Sequence, residues 1–215
     1  MRFKAFEKTI SEINNLTLPG IEMQLTMAPP FREQLLERFK EERKSAKLAA
    51  VLSLFYPSSE GDTLLVLILR KSYNGVHSAQ VGFPGGKPEP VDASLEATAL
   101  RETWEEIGVS SDKIKVIREL SSIYIPPSNF LVSPFLGIAQ SPLTFTLQPS
   151  EVDAVLQVSL SDLMNDKSEV VSEILASDGT AFEVPAFKLN ERIVWGATAM
   201  MLIEIKSMLN QILKK

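Results

Sequence analysis

Residues 85–109 read GGKPEPVDASLEATALRETWEEIGV, and the rest of the chain is read outward from them. The second half of the stretch predicts a helix. Asp92 or Ser94 can accept a hydrogen bond from the free amides of a first turn, and Gly108 follows the last periodic residue as a stop signal. Between them Ala97, Leu100, Trp104 and Ile107 recur at helical spacing and predict one apolar face. The opposite face carries Glu102 and Glu106, four residues apart, with Glu105 on its flank. Arg101 lies four residues before Glu105, so the two can pair.

Three carboxylates on about one turn of helix repel one another, at a few tenths of a kcal/mol per pair on an exposed face. They also sit near the helix C-terminus, where the macrodipole disfavours anions. Either the face is simply solvated, or it holds a cation. Oxygen ligands of this kind suit a hard divalent ion, Mg2+ or Mn2+. The preceding loop Phe83-Pro84-Gly85-Gly86-Lys87-Pro88 favours the cation, because adjacent glycines allow close approach by a ligand or metal.

The stretch resembles the Nudix box: a glycine, five residues, an acid, a spacer, then Arg-Glu-x-x-Glu-Glu-x-Gly and an aliphatic residue. The match runs through Gly86, Asp92, Arg101, Glu102, Glu105, Glu106, Gly108 and Val109. Asp92 replaces the usual glutamate, the spacer from Asp92 to Arg101 is eight residues instead of seven, and Thr103 stands at a position usually aliphatic. The aspartate and the longer spacer look like those of the coenzyme A pyrophosphatase branch. The segment from Arg70 to Gly86 is similar to that branch's preceding signature through Lys71, Ser72, His77, Gln80 and Phe83–Gly86. It departs in having Lys71 where arginine is usual, Ala79 for a glycine, and no arginine before His77. The run Ile193-Val-Trp-Gly-Ala-Thr-Ala also resembles that branch.

Length and composition bound the alternatives. The chain has 215 residues, 45% hydrophobic and 23% charged, with no cysteine and a net charge of -5. One domain of ordinary globular composition is expected. No apolar run approaches the ~18–20 residues of a membrane span. The absence of cysteine excludes disulfides and zinc-thiolate sites, and with no secretory signal in MRFKAFEKTISEI a cytoplasmic location is the default. The acidic balance argues against a nucleic-acid surface. It is compatible with a phosphorylated small molecule met by a metal and by placed bases such as Arg70, Lys71 and Lys87.

Residues 5–17 and 31–46 predict helices, the second starting after Pro29-Pro30. Strand-like runs follow at Ala49–Tyr56 and Thr63–Arg70, then at Ile114–Ser122, Leu131–Ala139, Val152–Val158 and Phe182–Phe187. Val194–Leu213 predicts a long helix with Trp195, Thr198, Leu202, Ile205, Leu209 and Ile212 on its core face. No linker divides the chain, so residues 1–215 are expected as a single α/β domain, 1–46 forming a helical extension packed on a core of 47–215. The resemblance implies the Nudix fold, an α/β/α sandwich around a mixed β-sheet, here with added N-terminal helices.

What the resemblance implies chemically is metal-dependent hydrolysis of a diphosphate joining two organic groups. Glu102 and Glu106 would ligate Mg2+ or Mn2+, with Glu105 a third ligand or a base, the Gly86 carbonyl a further oxygen, and Arg101 orienting the cluster. A downstream carboxylate can complete such a site or serve as general base; Glu151 is the candidate by chain order, with Asp153 the alternative, and a surface acid at a strand edge is the equally ordinary reading. Arg70, Lys71, Ser72, His77, Gln80 and Lys87 are the candidate substrate contacts. His77, the only histidine, is read as a loop residue satisfied by the backbone before it is read as a proton carrier. The implied substrate is coenzyme A or an acyl derivative, with NADH or ADP-ribose as alternatives and a non-catalytic nucleotide-binding module as the competing class. Residues 1–45 could cap the sheet, cover the substrate, or form a homodimer contact.

Overall fold

A computed structural model describes residues 1–71, 80–175 and 180–213. Two long strands carry the central sheet: β1 (Lys47–Pro57) and β7 (Phe130–Ala139), which pair in parallel from Lys47↔Phe130 to Phe55↔Ile138. On one side of β1 lies antiparallel β2 (Thr63–Arg70), itself flanked by β3 (Val81–Gly82) and β8 (Val152–Ser159). On the other side β7 is joined by antiparallel β5 (Ile114–Glu119) and β6 (Ile123–Ile125). The two-residue strand β4 (Gly85–Gly86) sits against Ala50 and Val51 of β1. The sheet is therefore mixed, as expected.

Strand alternation divides its residues between two layers. Ala50, Leu52, Leu54 and Tyr56 of β1, with Val66 and Ile68 of β2, face the helix α4 (Leu95–Ile107). Ala49 and Phe55, with Leu65 and Leu67, face the N-terminal segment and the C-terminal helix α6 (Gly196–Leu213). A second sheet of β9 (Glu169–Leu175), β10 (Ala181–Leu189) and β11 (Arg192–Trp195) is antiparallel throughout. A short helix α5 (Leu160–Met164) follows β8, and a one-turn 3-10 segment leads from it into β9.

The N-terminal segment is more broken than its periodicity predicts. It forms α1 (Phe3–Ile10), a 3-10 turn, α2 (Gly20–Leu25), α3 (Arg32–Arg38) and a second 3-10 turn. Packing and not propensity holds it: Phe6 is fully buried with its ring 5.0 Å from that of Phe55 in β1, and such a pair adds about 0.5–1.5 kcal/mol to the area buried. Gln24 of α2 donates to the Ser121 carbonyl and to Glu204 of α6. Buried Arg32 donates to the Tyr124 carbonyl in β6.

Three further expectations are corrected. The strand read over 114–122 ends at Glu119, where the Leu120 amide donates instead to the Pro134 carbonyl, and β6 starts beyond the run at Ile123. The last helix starts at Gly196, not Val194; Val194 and Trp195 belong to β11, paired with Phe187 and Ala186. Trp195 thus packs edge-on to Phe182 from a strand and takes no place in a helical stripe. On α4, Trp104 is 57% exposed, while Thr98, Ala99, Thr103, Glu106 and Ile107 are buried. The helix is rotated relative to the apolar face read from the sequence, so that it turns Glu106 toward the sheet. Thr103 is accommodated there because its hydroxyl donates to the Ala99 carbonyl at 2.7 Å.

Candidate active site

The site forms where the Gly85–Gly86 turn crosses the C-terminal half of α4. Ser94 caps that helix, its hydroxyl accepting from the Ala97 amide, and the Gly108 amide closes the far end onto the Trp104 carbonyl. Asp92 is thereby free for another task. Its carboxylate accepts from the Glu89 amide and the Thr98 hydroxyl, and takes Arg101 through both oxygens, Nε to Oδ1 and Nη2 to Oδ2, each at 3.0 Å. The forked contact, then the Glu89 amide, hold Asp92 down to about 2 against the effect of burial, and Asp92 in turn raises Arg101. Arg101 spends its remaining donors on Glu105 (2.7 Å), the Lys87 carbonyl (2.8 Å) and Glu102 (3.2 Å).

Gly85 and Gly86 are required by close approach. A Cβ on Gly85 would lie 2.2 Å from the Ala50 carbonyl oxygen, and φ there is +151°. A Cβ on Gly86 would lie 2.4 Å from the Glu102 carboxylate. One turn on, the Gly85 amide donates to Glu106 Oε2 at 2.8 Å. Both glutamates are thus seated on the same two-residue turn.

Their electrostatics follow from burial. Glu106 is 1% exposed, and desolvation pushes it up to about 7. Arg70 and the Gly85 amide oppose that rise, while the charges of Glu102 and Glu151 add to it. Glu102 is raised first by burial and further by Glu105 and Glu151, with Arg101 pulling the other way. Glu151 itself is exposed, and its charge acts on both Glu102 and Glu106. A bulge marks the start of β8. Leu69 pairs with Ala154 but Arg70 with Val152, so Asp153 is the extra residue and Val152 takes the α4 side. Among the described residues Asp153 is not one of the charges acting on Glu102 or Glu106.

The other sequence-derived candidates divide. Arg70 lies with Nη1 3.3 Å from Glu106 Oε1. Lys71 instead donates from Nζ to the Pro149 carbonyl at 2.7 Å. Lys87 is exposed, its Nζ 5.6 Å from the centre of the Phe130 ring, and Gln80 accepts the Arg70 amide through its carbonyl. Ser72 and His77 lie outside the described residues. Sequence reasoning missed the pairing of Arg70 with Glu106 and the bidentate hold of Asp92 on Arg101. The first had a signal in strand alternation, since Leu64, Val66, Ile68 and Arg70 share a face; the second had only the invitation of an acid upstream of an arginine.

The donor set fits a hard divalent cation. Glu106 Oε1 is buried and accepts no hydrogen bond, and Glu102 lies in a cradle that any side chain at 86 would fill. Among the described residues no three acidic or histidine side chains converge on a point as they stand, and Arg101 pairs with both Glu102 and Glu105.

Residues 47–175 match the NUDIX domain family, and the chain belongs to that family. The chain is 31% identical over 170 residues to the mitochondrial coenzyme A diphosphatase NUDT8 of Mus musculus, covering 78% of this chain and 80% of the relative. It is 30% identical over 141 residues to the uncharacterized Nudix hydrolase NudL of Photorhabdus laumondii, covering 66% and 74%. A MutT/nudix family protein from Enterococcus faecalis shares the fold, with a TM-score of 0.51 and 17% identity over 84% of this chain and 70% of that one. Nudix hydrolases use divalent metal ions. The mouse relative is mitochondrial, in contrast to the cytoplasmic default read from this sequence. Among the described residues no helix is long and apolar enough to cross a membrane.

Proposed function

We propose that the chain hydrolyses the diphosphate of coenzyme A or an acyl-coenzyme A, giving 3',5'-ADP and (acyl-)4'-phosphopantetheine. The observation that carries the reading is the seating of Glu102 and Glu106 on the Gly85–Gly86 turn, with Glu151 charged close by. Two features support the substrate: the similarity of Lys71, Ser72, His77, Gln80 and Phe83–Gly86 to the coenzyme A signature, and the likeness to a relative named for that reaction.

Glu102 and Glu106, joined by Glu105 or the Gly86 carbonyl, would hold Mg2+ or Mn2+. When bound, the cation neutralises diphosphate charge and makes a bound water acidic enough to attack at neutral pH. Arg101 is a positioning residue: its guanidinium is fixed by Asp92 and fixes Glu102 and Glu105 in turn. Glu105, 42% exposed beside Arg101, and exposed Glu151 are the solvent-facing carboxylates that would accept a proton from water at the mouth of the site. Lys87 and Arg70 supply positive charge for phosphate oxygens, and Gln80, with Ser72 and His77, completes the substrate contacts that the resemblance implies. The residues act by placing charge, as substitution at phosphorus requires.

The test is product analysis of coenzyme A, NADH and ADP-ribose incubated with Mg2+ or Mn2+, using wild type and Glu106→Gln. Formation of 3',5'-ADP from coenzyme A by wild type alone is expected. Cleavage of another substrate but not coenzyme A would refute the substrate, and no turnover at all would favour a nucleotide-binding module.

A further inference from the structure

Arg70 ends β2 at the edge of the glutamate site. Leu64, Val66 and Ile68 before it face α4, and Arg70 keeps that period, so its side chain crosses toward the helix. There it meets the one oxygen of Glu106 that no hydrogen bond satisfies: Nη1 stands 3.3 Å from Oε1, at ion-pair distance but not aligned to donate. The other oxygen is fixed by the Gly85 amide. Of the neighbouring bases, Arg101 is saturated by Asp92, Glu105, Glu102 and the Lys87 carbonyl, and Lys71 is turned away to Pro149. Arg70 is held by charge alone among the described residues, and its side chain is 29% exposed, leaving it a path to solvent.

We propose that Arg70 is an internal counter-ion occupying the divalent cation's place at Glu106, and that it must swing away before the cation binds there. The inference rests on the reading of Glu106 as a cation ligand. A dication on Oε1 and a guanidinium at the same oxygen repel strongly in so dry a setting, so they alternate. Arg70 is thus a positioning residue that sets how tightly the site takes its cation. Once released, it is a forked donor beside the cluster, suited to diphosphate oxygens.

The experiment is a Mn2+ titration followed by electron paramagnetic resonance of the free ion, without substrate, at about pH 8.5 so that protons do not compete. Wild type, Arg70→Ala, Arg70→Lys and Glu106→Gln are compared, and melting in EDTA shows that each is folded. Should Arg70→Ala fail to fold, Arg70→Gln takes its place. Glu106→Gln is expected to lose the tight site. Arg70→Ala is expected to bind Mn2+ on the order of tenfold more tightly than wild type, and Arg70→Lys, which keeps the charge, to stay within about threefold. Unchanged or weaker binding by Arg70→Ala overturns the proposal while leaving the glutamate site standing, as does equal tightening by Arg70→Lys. Unchanged binding by Glu106→Gln removes the glutamate reading and the proposal with it.

Discussion

Replacing Glu106 by glutamine should stabilise the metal-free protein while abolishing its activity. Glu106 is 1% exposed and titrates near about 7, against 4.5 for an ordinary glutamate. At 1.36 kcal/mol per pH unit, keeping it ionised in the folded state costs up to about 3 kcal/mol. The sign follows from proton binding. Below pH ~4.5 the carboxyl is protonated whether folded or unfolded, and its contribution is constant. Between ~4.5 and about 7 the folded chain binds more protons than the unfolded one, so wild type loses stability as pH rises; above about 7 the loss is complete. Glutamine carries no such dependence and can still accept the Gly85 amide. Some of the gain is returned because Arg70 loses its partner, but that side chain is 29% exposed and can turn to water. A net gain of about 1–2 kcal/mol at pH 8 is expected, roughly 3–6 °C in Tm for a chain of this size, shrinking to nothing near pH 4.5. The assay is thermal melting of both proteins in EDTA across pH 4.5–8.5. A Glu106→Gln protein no more stable than wild type at pH 8 would refute the reasoning, whatever its activity.

Other substitutions separate the site's parts. Gly86→Ala sets a methyl 2.4 Å from the Glu102 carboxylate; the flexible side chain yields, so Tm should fall by no more than a few degrees while Mn2+ affinity, read by calorimetry, drops about tenfold or more. Asp92→Ala removes the fork that fixes Arg101 and should cost about 3 kcal/mol in urea unfolding, because a largely buried guanidinium loses its partner. Phe6→Ala should cost about 3–5 kcal/mol in the same assay, since the ring is fully buried against Phe55. Trp104→Ser, at 57% exposure, should change stability by less than about 0.5 kcal/mol; a larger loss would restore the apolar face read from the sequence.

What the residues alone determined is local chemistry. The helix after Ser94 with its glycine stop at Gly108, the chance for Arg101 to pair with Glu105, the strands read at 49–56 and 63–70, and the spacing that marks the Nudix box all follow from neighbours within a few turns, whereas the choice of Ser94 over Asp92 as the cap does not. Interactions of that range are written in consecutive letters. Tertiary structure decided the rest. The rotation of α4 that buries Glu106 and exposes Trp104 depends on how the helix meets β1 and the Gly85–Gly86 turn, and a periodic pattern with both charged and apolar candidates cannot choose between faces. Trp195 joined a strand because Phe187 and Ala186 offered partners distant in the chain. The bulge at Asp153 belongs to the pairing of β8 with β2, partners distant in the chain. The displaced titration of Glu106 has the same origin, for desolvation is a property of the closed fold and of no single residue.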